Sequence, residues 1–149
     1  MANSVHHKLF FPHPPAVVWE YLTKSELLEQ WLMKNDFEPI VGYDFQFNTR
    51  PVPNLDFDGN VYCKVLEIVP GKKLSYSWKT GPGNNHVVID SIVVWTLHEK
   101  DNGTELQLDH TGFKETDISM FLTVDEGWLK NMKKIADLIN TAIHDKTNA

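Results

Sequence analysis

Apolar residues recur at every second position over much of residues 37–113, and this period of two constrains the fold more than any other feature. Phe45 and Phe47 alternate with polar neighbours in "YDFQFNT", and Tyr76 and Trp78 do so in "KKLSYSW". Such alternation is typical of a strand with one buried face. Asp-Gly, Pro-Gly and Asp-Asn-Gly turn signals separate the strands at short intervals. The region therefore predicts an antiparallel meander of about six strands with one face in solvent.

The end of the chain changes to helical spacing. Apolar residues three or four positions apart predict one long amphipathic helix: Phe121, Val124, Trp128, Met132, Ile135, Ile139 and Ala142. Its start is open, because Thr116 can cap an early beginning whereas Thr123 and Glu126 can form a capping box further on. Gly127 costs roughly 1 kcal/mol relative to alanine inside a helix, which indicates close packing or a slight bend there.

The first forty residues predict a short strand and two short helices. Residues 5–11 suit a strand, and Pro14 and Pro15 suit the first turn of a helix. Thr23 and Glu26 in "TKSELLEQWLM" are spaced as a capping box for the second helix. The predicted fold class is α+β, with a curved antiparallel sheet of six to seven strands wrapped around the long C-terminal helix. Aromatic faces do not interlock fully, so we expect a cavity between sheet and helix.

Composition excludes several classes of protein. The chain has 149 residues, which we interpret as a single domain, and a formal net charge of −6. An acidic chain lacks the basic surface that nucleic acid and anionic membranes require, so neither is an expected partner. No apolar run approaches the ~20 residues of a membrane span. One cysteine and no signal-peptide pattern predict a cytoplasmic protein.

Four motifs in the same order resemble the START-like (SRPBCC) superfamily, and within it the homologues of the activator of heat-shock-protein-90 ATPase. They are "PPAVVWEYLT" followed by "QWL", "VLEIVPGKKLSYSW", "VVWTLHEKDNGTELQLDHTGF" and "EGWLKNMKKIADLI". The resemblance extends over about residues 5–143. It implies the helix-grip fold, a deep cavity for an apolar small molecule and no common cofactor. It does not fix an activity, because members include lipid carriers, polyketide cyclases and co-chaperone domains.

Catalytic and metal signatures are not found in the sequence. It contains no Gly-x-Ser-x-Gly, no phosphate-binding glycine loop and no His-Glu-x-x-His or paired Cys-x-x-Cys. His6 and His7 are adjacent on a strand and should point to opposite faces, while the other histidines except His110 fall at turns, strand ends or the terminal tail: His13, His86, His98 and His144. We therefore expect no metal, no cofactor and no assigned catalytic residue.

Aromatic side chains are the main candidates for a binding site. They supply large, rigid apolar surface, and methionines add adaptable walls. Small-molecule pockets combine such a lining with a few polar groups. The candidate ligand-binding residues are Phe45, Phe47, Tyr76, Trp78, Trp95, His110, Met120, Phe121, Val124, Trp128 and Met132.

His110 is the polar exception on a predicted inward face. In "TELQLDHTGF" it shares one side of the strand with Leu106 and Leu108. A buried histidine without a partner costs about 1–3 kcal/mol, so it should bond a backbone carbonyl, Tyr76, a water or a ligand. Three interpretations remain: a satisfied core residue, a ligand contact, or a general acid/base. Catalysis would need a second polar side chain to position the substrate or stabilise charge. The nearest candidate is Asp90, but the alternation of the strand that contains Asp90 places it on the outer face.

The leading hypothesis is non-catalytic binding of a hydrophobic, aromatic or lipid-like small molecule by a monomer or weak homodimer. The alternatives are an enzyme of the cyclase or hydrolase type that uses His110 as acid/base, and a co-chaperone-like protein-interaction module.

Overall fold

The computed structural model describes the backbone of residues 3–147 and the side chains of residues 3–143. Strands and helices follow the chain in this order: β1 (Asn3–Phe11), α1 (Pro15–Thr23), α2 (Ser25–Trp31), β2 (Lys34–Asn35), β3 (Asp44–Asn48), β4 (Asn60–Val69), β5 (Lys73–Thr80), β6 (Ile89–Lys100), β7 (Gly103–Phe113) and α3 (Ile118–Thr147). Two 3₁₀ turns, Pro53–Leu55 and Glu115–Asp117, precede β4 and α3.

All seven strands form one antiparallel sheet with the order β1-β7-β6-β5-β4-β3-β2. Strands β2 to β7 are a meander, and β1 closes the other edge by pairing with β7. This arrangement confirms the predicted helix-grip fold and its two short helices after the first strand. The sheet has seven strands, of which β2 is only two residues long.

The turns that the sequence indicated connect the strands. Asp101 and Asn102 have φ of 49° and 62° and join β6 to β7, with Lys100 opposite Gly103. Positive φ at both central residues matches the right-handed twist of a hairpin, and short polar side chains tolerate it. Gly71, with φ of 73°, turns the chain between β4 and β5. These turns fix the register that brings alternate residues of every strand inward.

Helix α3 lies against the inner face with the predicted apolar stripe. Trp128, Met132, Ile135 and Ile139 are buried, and Phe121 and Val124 are half-buried. Ala142 is exposed, so the stripe ends one turn earlier than predicted.

Neither predicted capping box forms. Thr23 is the last residue of α1, where its hydroxyl donates to the Trp19 carbonyl at 2.8 Å, and α2 begins without a side-chain cap. Thr123 lies inside α3 and donates to the Ser119 carbonyl at 2.9 Å. Helix α3 begins early, after a 3₁₀ turn in which the Asp117 carboxylate accepts from the Lys114 amide at 2.8 Å. Sequence spacing alone does not show which of several threonines lies at a helix end.

Candidate functional site

A buried chain of hydrogen bonds joins helix α3 to the sheet through His110. Trp128 Nε1–H donates to His110 Nδ1 at 2.9 Å, and His110 Nε2 lies 2.8 Å from the Ser91 hydroxyl. The Ser91 hydroxyl donates to the Trp78 carbonyl at 2.8 Å. An indole N–H can only donate, so His110 Nδ1 must be the unprotonated nitrogen and Nε2 must carry the proton. The direction of every bond in the chain is thereby fixed.

This geometry favours the first of the three interpretations of His110, a satisfied core residue. The side chain is fully buried, and burial lowers its pKa from 6.5 to about 3. Both ring nitrogens are hydrogen-bonded to protein groups, Nδ1 to the Trp128 indole and Nε2 to the Ser91 hydroxyl. Asp90, the nearest candidate helper, is exposed on the outer face as predicted. His110 is a satisfied core residue that stays neutral near neutral pH.

The partners of His110 were missed by sequence reasoning. Ser91 shares the inner side of β6 with Val93 and Trp95, and Val93 pairs directly with His110. The alternation of β6 would have placed Ser91 near His110, had the register of the hairpin been applied to it. Trp128 offered a weaker signal, since a buried indole usually needs an acceptor.

Four tryptophans surround this chain and fill the centre of the core. Trp128 lies with its ring centroid 5.1 Å from Trp78, 5.3 Å from Trp95 and 6.5 Å from Trp31. Trp95 Nε1 donates to the Tyr76 hydroxyl at 3.0 Å, and Trp31 Nε1 donates to the Tyr21 carbonyl at 2.8 Å. The indole N–H groups of Trp31, Trp95 and Trp128 are therefore paired inside the protein.

Beside this cluster, a cavity of about 190 Å³ lies between the first turns of α3, the inner face of β4 and β5, and the loop between β3 and β4. Its lining is almost entirely apolar and contains no charged side chain: Leu32, Met33, Thr49, Val52, Leu55, Phe57, Val61, Trp78, Thr80, Met120, Thr123, Val124, Gly127, Trp128 and Asn131. Exposed Thr49, Val52 and Thr123 form the rim where the cavity meets solvent.

Four of the eleven predicted ligand-binding residues lie in this lining: Trp78, Met120, Val124 and Trp128. The other seven pack elsewhere. Phe45, Phe47, Tyr76, Trp95, His110 and Met132 are buried in the core, and Phe121 packs edge-on against Phe113 at 5.5 Å. The sheet face is longer than the cavity, so most of its aromatic residues contact one another.

The loop between β3 and β4 supplies the part of the lining that the sequence did not reveal. Val52 and Phe57 form a two-residue bridge, with N–H···O distances of 2.9 and 3.3 Å, around the 3₁₀ turn Pro53–Leu55. The Asp58 amide donates to the Gly81 carbonyl at 2.8 Å and fixes the loop to the end of β5. Two prolines and the absence of alternation made this segment resemble an ordinary connection, although Leu55 and Phe57 contribute apolar side chains to the cavity.

Gly127 contributes space to the cavity. It lies in the lining, and a Cβ built on it would meet no heavy atom within 4 Å. The expectation of close packing at this glycine is therefore wrong. The missing side chain leaves room between α3 and the loop.

Replacing Gly127 with alanine is expected to raise the free energy of unfolding by about 1 kcal/mol, because alanine is a better helix former and the new methyl group meets no atom. Urea denaturation measures the change. Gly112→Ala is the control and should destabilise, because Gly112 has φ of 114° and its Cβ would lie 2.8 Å from the Asp90 carbonyl. Equal loss in both variants would contradict the open space at Gly127.

The structure offers no metal site and no membrane span within the residues it describes. No group of three or more His, Cys, Asp or Glu side chains there is arranged to hold a metal ion. The side chain of His144 lies outside the described residues. No described helix is long and apolar enough to cross a membrane. Burial, with a smaller contribution from Asp36, raises the pKa of the Cys63 thiol, which makes it a poor nucleophile.

Comparison with solved structures identifies several similar folds. Protein MLL2253 from Mesorhizobium loti is 32% identical, and the match covers 93% of this chain and 98% of that chain with a TM-score of 0.83. The Aha1 dimer from Colwellia psychrerythraea is 18% identical, with 91% and 94% covered and a TM-score of 0.73. DynU16, from the dynemicin biosynthetic locus, is 21% identical with a TM-score of 0.76, and the match covers 94% of this chain and 48% of that chain. The last two show a shared fold only.

Sequence comparison gives the family. No curated protein matches the chain. Residues 12–140 match the family described as "Activator of Hsp90 ATPase homolog 1-like protein". This match spans most of the sequence and confirms the resemblance that its four motifs carry. The chain therefore belongs to the family of activator of Hsp90 ATPase homolog 1-like proteins.

Proposed function

We propose that the protein binds a small, neutral, mainly apolar molecule in the cavity beside α3, without transforming it. The observation that carries this proposal is the lining itself, which is apolar, concave and free of charged side chains. Sites for small molecules usually combine such walls with a few polar groups.

The size of the cavity sets the size of the ligand. An engineered apolar cavity of about 150 Å³ in another protein holds benzene, and the cavity described here measures about 190 Å³. A molecule of one or two rings, or a short branched chain, fills such a volume. A longer ligand can extend past the rim at Thr49, Val52 and Thr123. Met33 and Met120 give the walls flexible side chains that adapt to shape.

The chemistry of the lining favours a neutral ligand. A charged group in this cavity would lose its hydration and find no opposite charge, which costs several kcal/mol. None of the lining side chains titrates near neutral pH. Since His110 is occupied on both nitrogens, an enzyme on this scaffold would need an acid/base group other than His110. Binding without chemistry is the simpler function.

Filling the cavity tests the proposal. Gly127→Leu should place a branched side chain in the open space and weaken binding of indane, a neutral two-ring hydrocarbon, by more than about tenfold. The new side chain takes the space in which a few methylene groups of the probe would be buried, and the lost burial of that many groups corresponds to such a change in affinity. Binding is measured by calorimetric titration, and amide chemical shifts locate the probe.

The matched control is Lys133→Leu, which adds the same side chain to an exposed position of the same helix. It should bind the probe as the unaltered protein does. Unchanged binding by Gly127→Leu, or no binding of the probe to the unaltered protein, would argue against the cavity as the site.

A further inference from the structure

Thr80 carries a buried hydroxyl without a partner in the wall of the cavity. The residue is 4% exposed and lies two positions after Trp78 at the end of β5, so both side chains point to the inner face. Among the described side chains, Thr80 Oγ1 is the one fully buried nitrogen or oxygen atom that makes no hydrogen bond. The Thr80 backbone carbonyl is satisfied, since it accepts from the Val88 amide at 2.8 Å.

The other polar side chains of the lining differ from Thr80. Thr123 donates its hydroxyl to the Ser119 carbonyl, and it and Thr49 are exposed. Asn131 is half-buried on α3 and reaches solvent. An ordered water needs two to four polar partners, which an apolar wall does not supply well. The hydroxyl of Thr80 is therefore the fully buried polar group of the lining whose bonding is left open. The Trp78 indole N–H, on the same lining, makes no hydrogen bond within the described residues either.

We infer that Thr80 is a specificity-determining residue, whose hydroxyl turns toward the cavity by rotation about χ1 and donates a hydrogen bond to an uncharged oxygen acceptor on the ligand. This inference rests on the proposed function and narrows it to a mainly apolar molecule with one carbonyl or similar oxygen. A buried hydroxyl that makes no hydrogen bond has lost the free energy of its bonds to water. An oxygen acceptor on the ligand would restore a hydrogen bond to this hydroxyl. The absence of charge in the lining excludes a carboxylate as the favoured acceptor.

Two probes that differ by one oxygen test the inference. Indane and 1-indanone share the same two-ring skeleton, and only the ketone can accept from Thr80. The unaltered protein should bind both. Thr80→Val keeps the branched shape and removes the hydroxyl, so it should weaken binding of 1-indanone about five- to tenfold and change binding of indane less than about twofold. Thr80→Ser should retain the preference for the ketone. Titration calorimetry gives the dissociation constants.

The control variant is Thr111→Val, which removes an exposed hydroxyl on β7 and should alter neither constant. Thermal unfolding without ligand checks that Thr80→Val folds, and its melting temperature should equal or exceed that of the unaltered protein. If both probes bind and Thr80→Val changes them equally, or changes neither, Thr80 is not the acceptor's partner and the binding function survives. If neither probe binds the unaltered protein, the proposed function fails together with this inference.

Discussion

Acidification from pH 6.5 to pH 4.5 is expected to lower the free energy of unfolding by about 2 kcal/mol through one side chain, His110. Burial holds the pKa of His110 at about 3, against 6.5 for an exposed histidine. Between these two values the unfolded chain binds a proton that the folded chain does not, so stability rises with pH throughout this range. Below pH 3 both states bind the proton, and the full loss reaches about 4–5 kcal/mol. The total stability of a small domain is about 5–15 kcal/mol, so protonation of this one residue would remove a substantial part of it.

The variant His110→Gln isolates the part of the pH dependence of stability that comes from His110. Glutamine can accept from Trp128 and donate to Ser91 but does not titrate. The variant should be less stable than the unaltered protein at pH 7 by about 1–3 kcal/mol, and the difference should shrink or reverse near pH 4.5. Urea denaturation across this range measures both slopes. The exposed His98→Gln is the matched control and should keep the slope of the unaltered protein.

Measurements above pH 4.5 distinguish the effect of His110 on stability from the effect of carboxylates such as Asp109. Although desolvation raises it, hydrogen bonds from Gln107 and His6 hold the pKa of Asp109 below 3.8. That residue therefore contributes acid sensitivity of the same sign, but only at lower pH. An equal slope in His110→Gln and the unaltered protein between pH 6.5 and pH 4.5 would refute the assignment of the neutral histidine.

The fold was predictable because the residues that the sequence pattern places on one face of each strand or helix are the residues that pack in the core. Alternation in β3, β5 and β7 places Phe45, Tyr76 and Leu108 inward, and all three are buried. Helical spacing from Trp128 to Ile139 gives the one stripe that can cover this face. Helix starts were less predictable, because Thr23 and Thr123 satisfy their hydroxyls on carbonyls four residues earlier within helices.

The candidate site was only partly predictable. Periodicity tells which side chains face inward, but not which of them meet one another and which border empty space. Phe47 and Tyr76 face inward like Trp78, yet only Trp78 reaches the cavity. The remaining lining comes from the loop around Phe57, from Thr80 and from a glycine, and these positions are defined by long-range packing. A buried threonine without a partner cannot be recognised before its surroundings are known.

Trp128→Ala is expected to lower the free energy of unfolding by about 3–5 kcal/mol, the usual cost of removing a large buried aromatic side chain. The ring packs against Trp78, Trp95 and Trp31 and donates to His110. Its loss opens a void that joins the existing cavity, and it leaves His110 Nδ1 without its donor. Urea denaturation at pH 7 measures the change. The matched control is Leu122→Ala on the same helix, where the side chain is 56% exposed and the cost should stay within about 0.5 kcal/mol.

Trp128→Phe separates the hydrogen bond from the packing and stays measurable even if Trp128→Ala does not fold. It keeps an aromatic ring against the tryptophans but removes the N–H that fixes the His110 tautomer. In the unaltered protein a proton on His110 Nδ1 would face the indole N–H, and in Trp128→Phe this conflict is gone. The pKa of His110 should therefore rise toward its value in the unfolded chain, and the free energy of unfolding should depend less steeply on pH. A double-mutant cycle with His110→Leu, which cannot accept from the indole, should give a coupling of about 1 kcal/mol or more. If the cycle shows no coupling and Trp128→Ala costs less than about 1.5 kcal/mol, then α3 does not depend on this chain of hydrogen bonds for its attachment to the sheet.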